Sequence, residues 1–188
     1  PDTIYLTVRD KNGMTISFIN SLFDAFGSAI TAPKSGVLFH SRGRAFNLIE
    51  GHPNQLNPNK RPLHTIIPAM ISHNKELIGS FGVMGGQYQP VGQVHVLNNI
   101  LDYNLSVQEA ISYPRAFHFN NLYKLENSIP SQIIEGLKEI GHNVEVIDGT
   151  HGGGQAIKID RKTGDLTGGS DPRKDGYAKG YWSKWKKL

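Results

Sequence analysis

Between Thr3 and Asn20 the chain alternates, turns and alternates again, and no other stretch limits its fold so tightly. Residues 3–9, TIYLTVR, have the period of two of a half-buried strand; Asp10-Lys11-Asn12-Gly13 supplies turn chemistry; residues 14–20, MTISFIN, resume the period. The segment predicts a β-hairpin. A reversal centred near Asn12 pairs positions whose numbers add to about 23–25, so the residue opposite Thr3 falls within one or two of Ser21. Turn geometry alone thus sets a second hydroxyl beside Thr3.

Downstream, FGSAITAPKSG leads to a short apolar run at Val37-Leu38-Phe39, and residues 50–62 are polar and rich in Asn, Pro and Gly, the composition of a long surface loop. A second hairpin is expected from His64–Ser72 and Glu76–Val83 across His73-Asn74-Lys75. Gly85-Gly86 follows directly, ahead of a helical pattern through VGQVHVLNNILDY. Ser106-Val107-Gln108-Glu109 is a capping box opening a short helix, and Ser131 to Ile140 is a further helix closed by Gly141. Two short strands, Asn143 to Ile147 and Gln155 to Ile159, are expected to flank a loop at Gly152-Gly153-Gly154. Hairpins plus a few helices, without internal repeats, argue for one layered sheet-and-helix domain over residues 1–188.

Composition narrows the function classes. With 188 residues, 38% of them hydrophobic and 19% charged, the chain is long enough for a sizeable core. No apolar run approaches the ~20 residues of a membrane helix, and no secretory leader is visible. The absence of cysteine excludes disulfides and thiolate chemistry and leaves a cytoplasmic or an exported location equally open. No two of the eight histidines lie three to five residues apart, so no local metal site is expected, and no phosphate-binding glycine signature points to nucleotides. The net charge of +4 is concentrated near the end, where residues 179–188 form a basic, aromatic tail. Such a tail can grip nucleic acid, but the rest of the chain carries no basic stripe, and a solvated terminal segment is the expected reading. His151-Gly152-Gly153-Gly154 has the look of an esterase oxyanion loop but lacks a G-x-S-x-G elbow, so a flexible turn is expected there. Gly85-Gly86, placed between strand and helix, can present backbone N–H groups to an anion near a helix N-terminus.

In their order and spacing, DTIYLTVRDKNG, FGSAI, PNKRPLHTIIPAM, FGVMGG, the LDY after the helix, Tyr113-Pro114-Arg115 and SDPRKDGYAKGYW together resemble the small subunit of the γ-glutamyltranspeptidase family of N-terminal-nucleophile hydrolases. The resemblance implies an αββα sandwich, with antiparallel sheets between helical layers, completed by a large subunit from the same precursor. It implies self-cleavage at Asp2–Thr3, so that residues 1–2 are the tail of an upstream segment and 3–188 the small-subunit-like catalytic part. It implies a γ-glutamyl or related acyl-amide substrate, no cofactor and no metal; whether precursors pair as homodimers stays open. Carried over residue by residue, Thr3 is the nucleophile, Ser21 its hydrogen-bonding partner, Gly85 and Gly86 the oxyanion donors, and His64-Thr65 the segment that helps hold the substrate carboxylate. A freed α-amine on Thr3, with an ordinary pKa of ~7.7–8.0, suits the role of general base.

Ser21 stands where the family usually has a second threonine, His64 lacks the hydroxyl of the family's paired serines, and three donor-recognition positions also depart from the family pattern. Phe23, Arg42 and Ala45 stand where an asparagine, a glutamine or glutamate, and an aspartate fix a γ-glutamyl donor. Loss of the aspartate removes the partner of an α-ammonium, and the planar fork of Arg42 suits a carboxylate. The alternative substrate is therefore a glutaryl-type amide, as cleaved by β-lactam acylases of this family. An alternative of another class is a non-catalytic binding protein on the same fold, which would leave Asp2–Thr3 intact.

Overall fold

The computed structural model describes residues 3–181. The expected cleavage residue Asp2 and the stretch 182–188 of the expected basic tail lie outside it. The opening hairpin forms as the pattern requires: β1 (Thr3–Arg9) pairs antiparallel with β2 (Thr15–Ser21), with Thr3 directly opposite Ser21. Asp10 sets the reversal, its Oδ1 accepting from the Asn12 and Met14 amides at 2.9 Å each.

The second sheet has four antiparallel strands in the order β3-β4-β8-β9: β3 (Ala69–His73), β4 (Glu76–Met84), β8 (Gly153–Ile159) and β9 (Leu166–Ser170). The hairpin expected from His64 is shorter than its sequence suggested. Residues 64–68 lie outside the strand, since Pro68 has no N–H to give to a ladder. A larger correction concerns Gly153 and Gly154: they open β8 rather than belonging to a loop, and both are buried. A third sheet pairs β5 (Ala116–Phe119) antiparallel with β6 (Leu122–Glu126) and sets β7 (Val144–Ile147) parallel to β6 through the crossover helix α3 (Ser131–Glu139).

Two helices cover one face of the four-stranded sheet. In α1 (Gln89–Leu101), Pro90 sits in the first turn, where its missing N–H costs no bond; α2 (Val107–Ser112) begins on the expected capping box, the Ser106 hydroxyl accepting from the Glu109 amide and the Glu109 carboxylate from the Ser106 amide. Phe81 and Val83 of β4 pack with Val96 and Ile100 of α1 and with Val107, Ala110 and Ile111 of α2 in the main core. The opposite face of β4 meets the hairpin. There Tyr5, Ile19 and Met84 form a second core, and the Ser80 hydroxyl bonds Tyr5 and Thr7. Every residue from Gly79 to Met84 is buried, because this strand is covered on both faces, by the helices and by the hairpin.

Helices, sheet and hairpin thus make three layers of the expected sandwich. On the hairpin's outer face Ile4, Leu6, Val8, Ile16 and Phe18 remain 41–60% exposed, an apolar surface that the described residues leave uncovered.

Candidate active site

Thr3 lies at the open end of β1, where the register sets it against the last residue of β2. Its Oγ1 donates to Ser21 Oγ at 2.9 Å, and the same Ser21 oxygen accepts the Phe23 amide at 3.1 Å. Two donors on one acceptor hold the Ser21 side chain in place, so the position of the Thr3 hydroxyl is set by hairpin and turn together. The backbone there is constrained as well, with Phe23 at φ 77, a conformation that non-glycine residues rarely adopt.

A cavity of about 610 Å³ opens beside this pair, with Thr3, Ser21, Gly85, Tyr88, Phe117 and Lys174 among its walls. Gly85 and Gly86 have φ of 143 and 58, and Tyr88 donates its amide to Gly85 O at 3.1 Å, closing a 3₁₀ turn over Gly86–Tyr88 before α1 begins. The glycine pair is therefore one short turn away from the α-helix rather than at its N-terminus. Of the expected oxyanion pair, Gly85 lines the cavity and Gly86 does not; an amide at the cavity wall beside an aligned hydroxyl is what acyl transfer requires.

The shape of the glycine turn depends on residues far along the chain. A Cβ on Gly85 would stand 2.7 Å from Gly152 Cα, and one on Gly152 would stand 2.1 Å from Met84 O. The two glycines touch, and Gly152 has φ 63. His151-Gly152 is accordingly a packed wall and not the flexible turn expected: His151 is buried, stacks on Tyr88 and donates Nε2–H to Lys124 O at 2.9 Å. Gly152→Ala should strain its own backbone and push on Met84, at a cost of about 1–3 kcal/mol. Amide turnover measured beside the unfolding midpoint would show both falling; an unchanged midpoint would mean that the contact relaxes freely.

Behind this wall lies a buried ionic cluster that joins two of the sequence motifs. Arg115, of Tyr113-Pro114-Arg115, donates to Asp171 Oδ2 at 2.7 Å and to His151 O at 2.9 Å; Asp171 also accepts the Gly154 amide at 2.8 Å. Glu126 accepts from the His151 amide at 2.9 Å, from the Arg115 amide at 3.1 Å and from Arg173 Nη2 at 2.9 Å, while Arg173 Nη1 bridges to Asp171 at 3.2 Å. Two arginines and two carboxylates close on one another and hold residues 151–154 by their backbone. Tyr88, 6.0 Å below the Arg115 guanidinium, is pushed up to about 12 by burial and stays neutral.

The remaining candidates form a second group outside the cavity lining. Arg42 Nη1 donates to Thr65 Oγ1 at 2.8 Å and the guanidinium lies 5.7 Å over the Phe23 ring. Arg42 makes no ion pair among the described residues: the nearby Asp24 is taken by Arg44 at 3.0 Å and by the Ser41 hydroxyl, which with Arg44 holds its carboxyl below the usual range. Buried Nη2 of Arg42 has no hydrogen-bond partner. Through Phe23, this group is continuous with Ser21 and Thr3. His64 is exposed and stands apart from these contacts. The cavity residues Tyr88, Phe117 and Lys174 are not site candidates from the sequence, although the SDPRK motif marks the segment of Lys174; Gly152 stands there only within the glycine run after His151, read as a turn.

Over residues 1–181 the chain matches the gamma-glutamyltranspeptidase family, and it belongs to that family. It is 41% identical over 95% of its length to the glutathione hydrolase-like YwrD proenzyme of Bacillus subtilis and 36% identical over 96% to the oxamate amidohydrolase proenzyme of Klebsiella pneumoniae, covering 36% of each. The chain thus spans about a third of these relatives. The crystal structure of cephalosporin acylase from Bacillus halodurans superimposes with a TM-score of 0.89 at 39% identity, over 94% of this chain and 34% of that one.

Proposed function

We propose that this chain is the catalytic part of a self-processed amide acyltransferase or hydrolase, with Thr3 as nucleophile, acting on γ-glutamyl or related acyl amides. The observation that carries the reading is the 2.9 Å Thr3–Ser21 hydroxyl contact on the wall of a cavity that also holds Gly85. Cleavage before Thr3 converts its nitrogen from a peptide amide, which cannot accept a proton, into an amine that can. The Thr3 oxygen then attacks the substrate carbonyl while its proton passes to that amine. Amides of Gly85 and Gly86 receive the oxyanion; the C–N bond breaks and the leaving amine departs with the proton. Water or a second amine attacks the resulting ester and restores the hydroxyl. Ser21 orients the nucleophile throughout. A larger segment of the same precursor is the natural cover for the apolar outer face of the hairpin.

The reading is tested on the full-length protein with γ-glutamyl- and glutaryl-4-nitroanilide. Release of 4-nitroaniline is expected, rising with pH through about 7.7–8.0 because the base must be neutral. No release from either anilide would overturn it.

A second reading concerns the acyl group, and the unpaired Arg42 favours it. Phe23, Arg42 and Thr65 form a contiguous group with a cation and no carboxylate, suited to an acyl chain ending in a carboxylate without an α-ammonium. Oxamate, for which one relative is named, is an amide whose acyl part ends in a carboxylate and carries no ammonium. Arg42→Gln should lower kcat/KM for the glutaryl anilide about tenfold or more relative to the γ-glutamyl one. An unchanged ratio would remove Arg42 from the acyl site.

A further inference from the structure

A second cavity, of about 360 Å³, opens where the end of α1 meets the four-stranded sheet, and it shares no lining residue with the cavity beside Thr3. Ile100 and Leu101 at the end of α1 and Val107 at the start of α2 line it from the helical layer; Ile71, Phe81 and Ala156 line it from the sheet. These six side chains offer only hydrocarbon. Protein interiors pack closely and leave few voids larger than a water molecule, so an open apolar space of this size is a place for an apolar guest.

β8 and the turn after it supply the polar half of the site. Lys158 follows Ala156 by two positions, so the period of the strand sets both on one face, and Arg161 and Lys162 join Lys158 in the lining. Arg161 is engaged, its Nε donating to Glu76 at 2.9 Å. Asp160, the single acidic lining residue, is engaged by its own turn: Oδ1 accepts the Lys162 and Thr163 amides at 2.7 and 3.2 Å. Those two amides, and then the charges of Lys162 and Lys158, hold its carboxyl below the usual range. Neither lysine closes an ion pair on it or on any other acid among the described residues. Two ammonium groups thus stand beside a hydrocarbon-lined space. We propose that this cavity is a binding site for a single-chain aliphatic carboxylate, its chain against Leu101, Ile100 and Phe81 and its carboxylate between Lys158 and Lys162. The proposal is independent of the acyl-transfer reading, since it uses none of the residues around Thr3.

The test is calorimetric titration of the full-length protein with octanoate, octan-1-ol and butyrate. Octanoate should bind about fivefold more tightly than octan-1-ol, the margin of an exposed ion pair, and each methylene added between butyrate and octanoate should gain about fourfold. Lys158→Gln and Lys162→Gln together should erase the preference over the alcohol and keep the dependence on chain length. Both lysines are exposed, so the core is untouched. Leu101→Glu, at a residue 48% exposed, sets a charge on the apolar wall and should cut octanoate affinity about tenfold or more at an unchanged unfolding midpoint. Absence of octanoate binding would overturn the proposal in favour of a segment of the precursor filling the cavity. Equal affinity for the alcohol, a carboxylate preference that survives the double lysine change, or an octanoate affinity unmoved by Leu101→Glu would overturn it as well.

Discussion

Thr3→Ala in the full-length protein is expected to lower amide turnover by about 10⁴-fold or more, while Thr3→Ser retains measurable activity. Removing a nucleophile eliminates the covalent route and leaves only whatever binding and oxyanion donors achieve with water. Folding should survive, because among the described residues the Thr3 hydroxyl bonds only Ser21, at the end of a strand whose buried anchor is Tyr5, two residues on. Initial rates with either nitroanilide, on protein whose unfolding midpoint matches the parent, make the comparison. An alanine form with more than a few per cent of parental rate would place the nucleophile elsewhere.

Asp171→Ala should be the most destabilising single change in the ionic cluster, costing about 3–5 kcal/mol. It strips the buried Arg115 guanidinium of its carboxylate and leaves the Gly154 amide without its acceptor, with both groups shut off from water. The effect should reach the active site, since Arg115 and Glu126 hold the backbone of His151, and Gly152 sets Gly85. Urea unfolding of the full-length protein measures the loss. A change below about 1 kcal/mol would mean that water or another acid replaces the aspartate.

Local chemistry explains why parts of this arrangement were legible in the sequence. The Thr3–Ser21 register followed from one turn, and the α2 capping box from four residues, because in each case the information lies within a short span. The β5–β6 hairpin was equally local and was overlooked. Asn120 and Asn121 take φ of 51 and 58, the positive values that a two-residue turn demands, so the Asn-Asn pair was the available signal. β9, with the sequence LTGGS, carries little strand preference of its own and forms by pairing with β8. The ionic cluster is another matter: Arg115 and Asp171 lie 56 residues apart, and no periodicity reports that they meet. The misreading of Gly153 has the same origin, since a Cβ there would stand 2.5 Å from the Lys174 side chain laid against it, whereas one on Gly154 would make only ordinary contacts.

The central claim is that Thr3 becomes a chain terminus and then the nucleophile. The intact mass of the purified full-length protein, beside its Thr3→Ala form after incubation at neutral pH, tests it most directly. The account predicts two chains from the parent, the smaller beginning at Thr3, and one uncut chain from the alanine form. A parent that remains whole, or an alanine form that divides at the same bond, would contradict it.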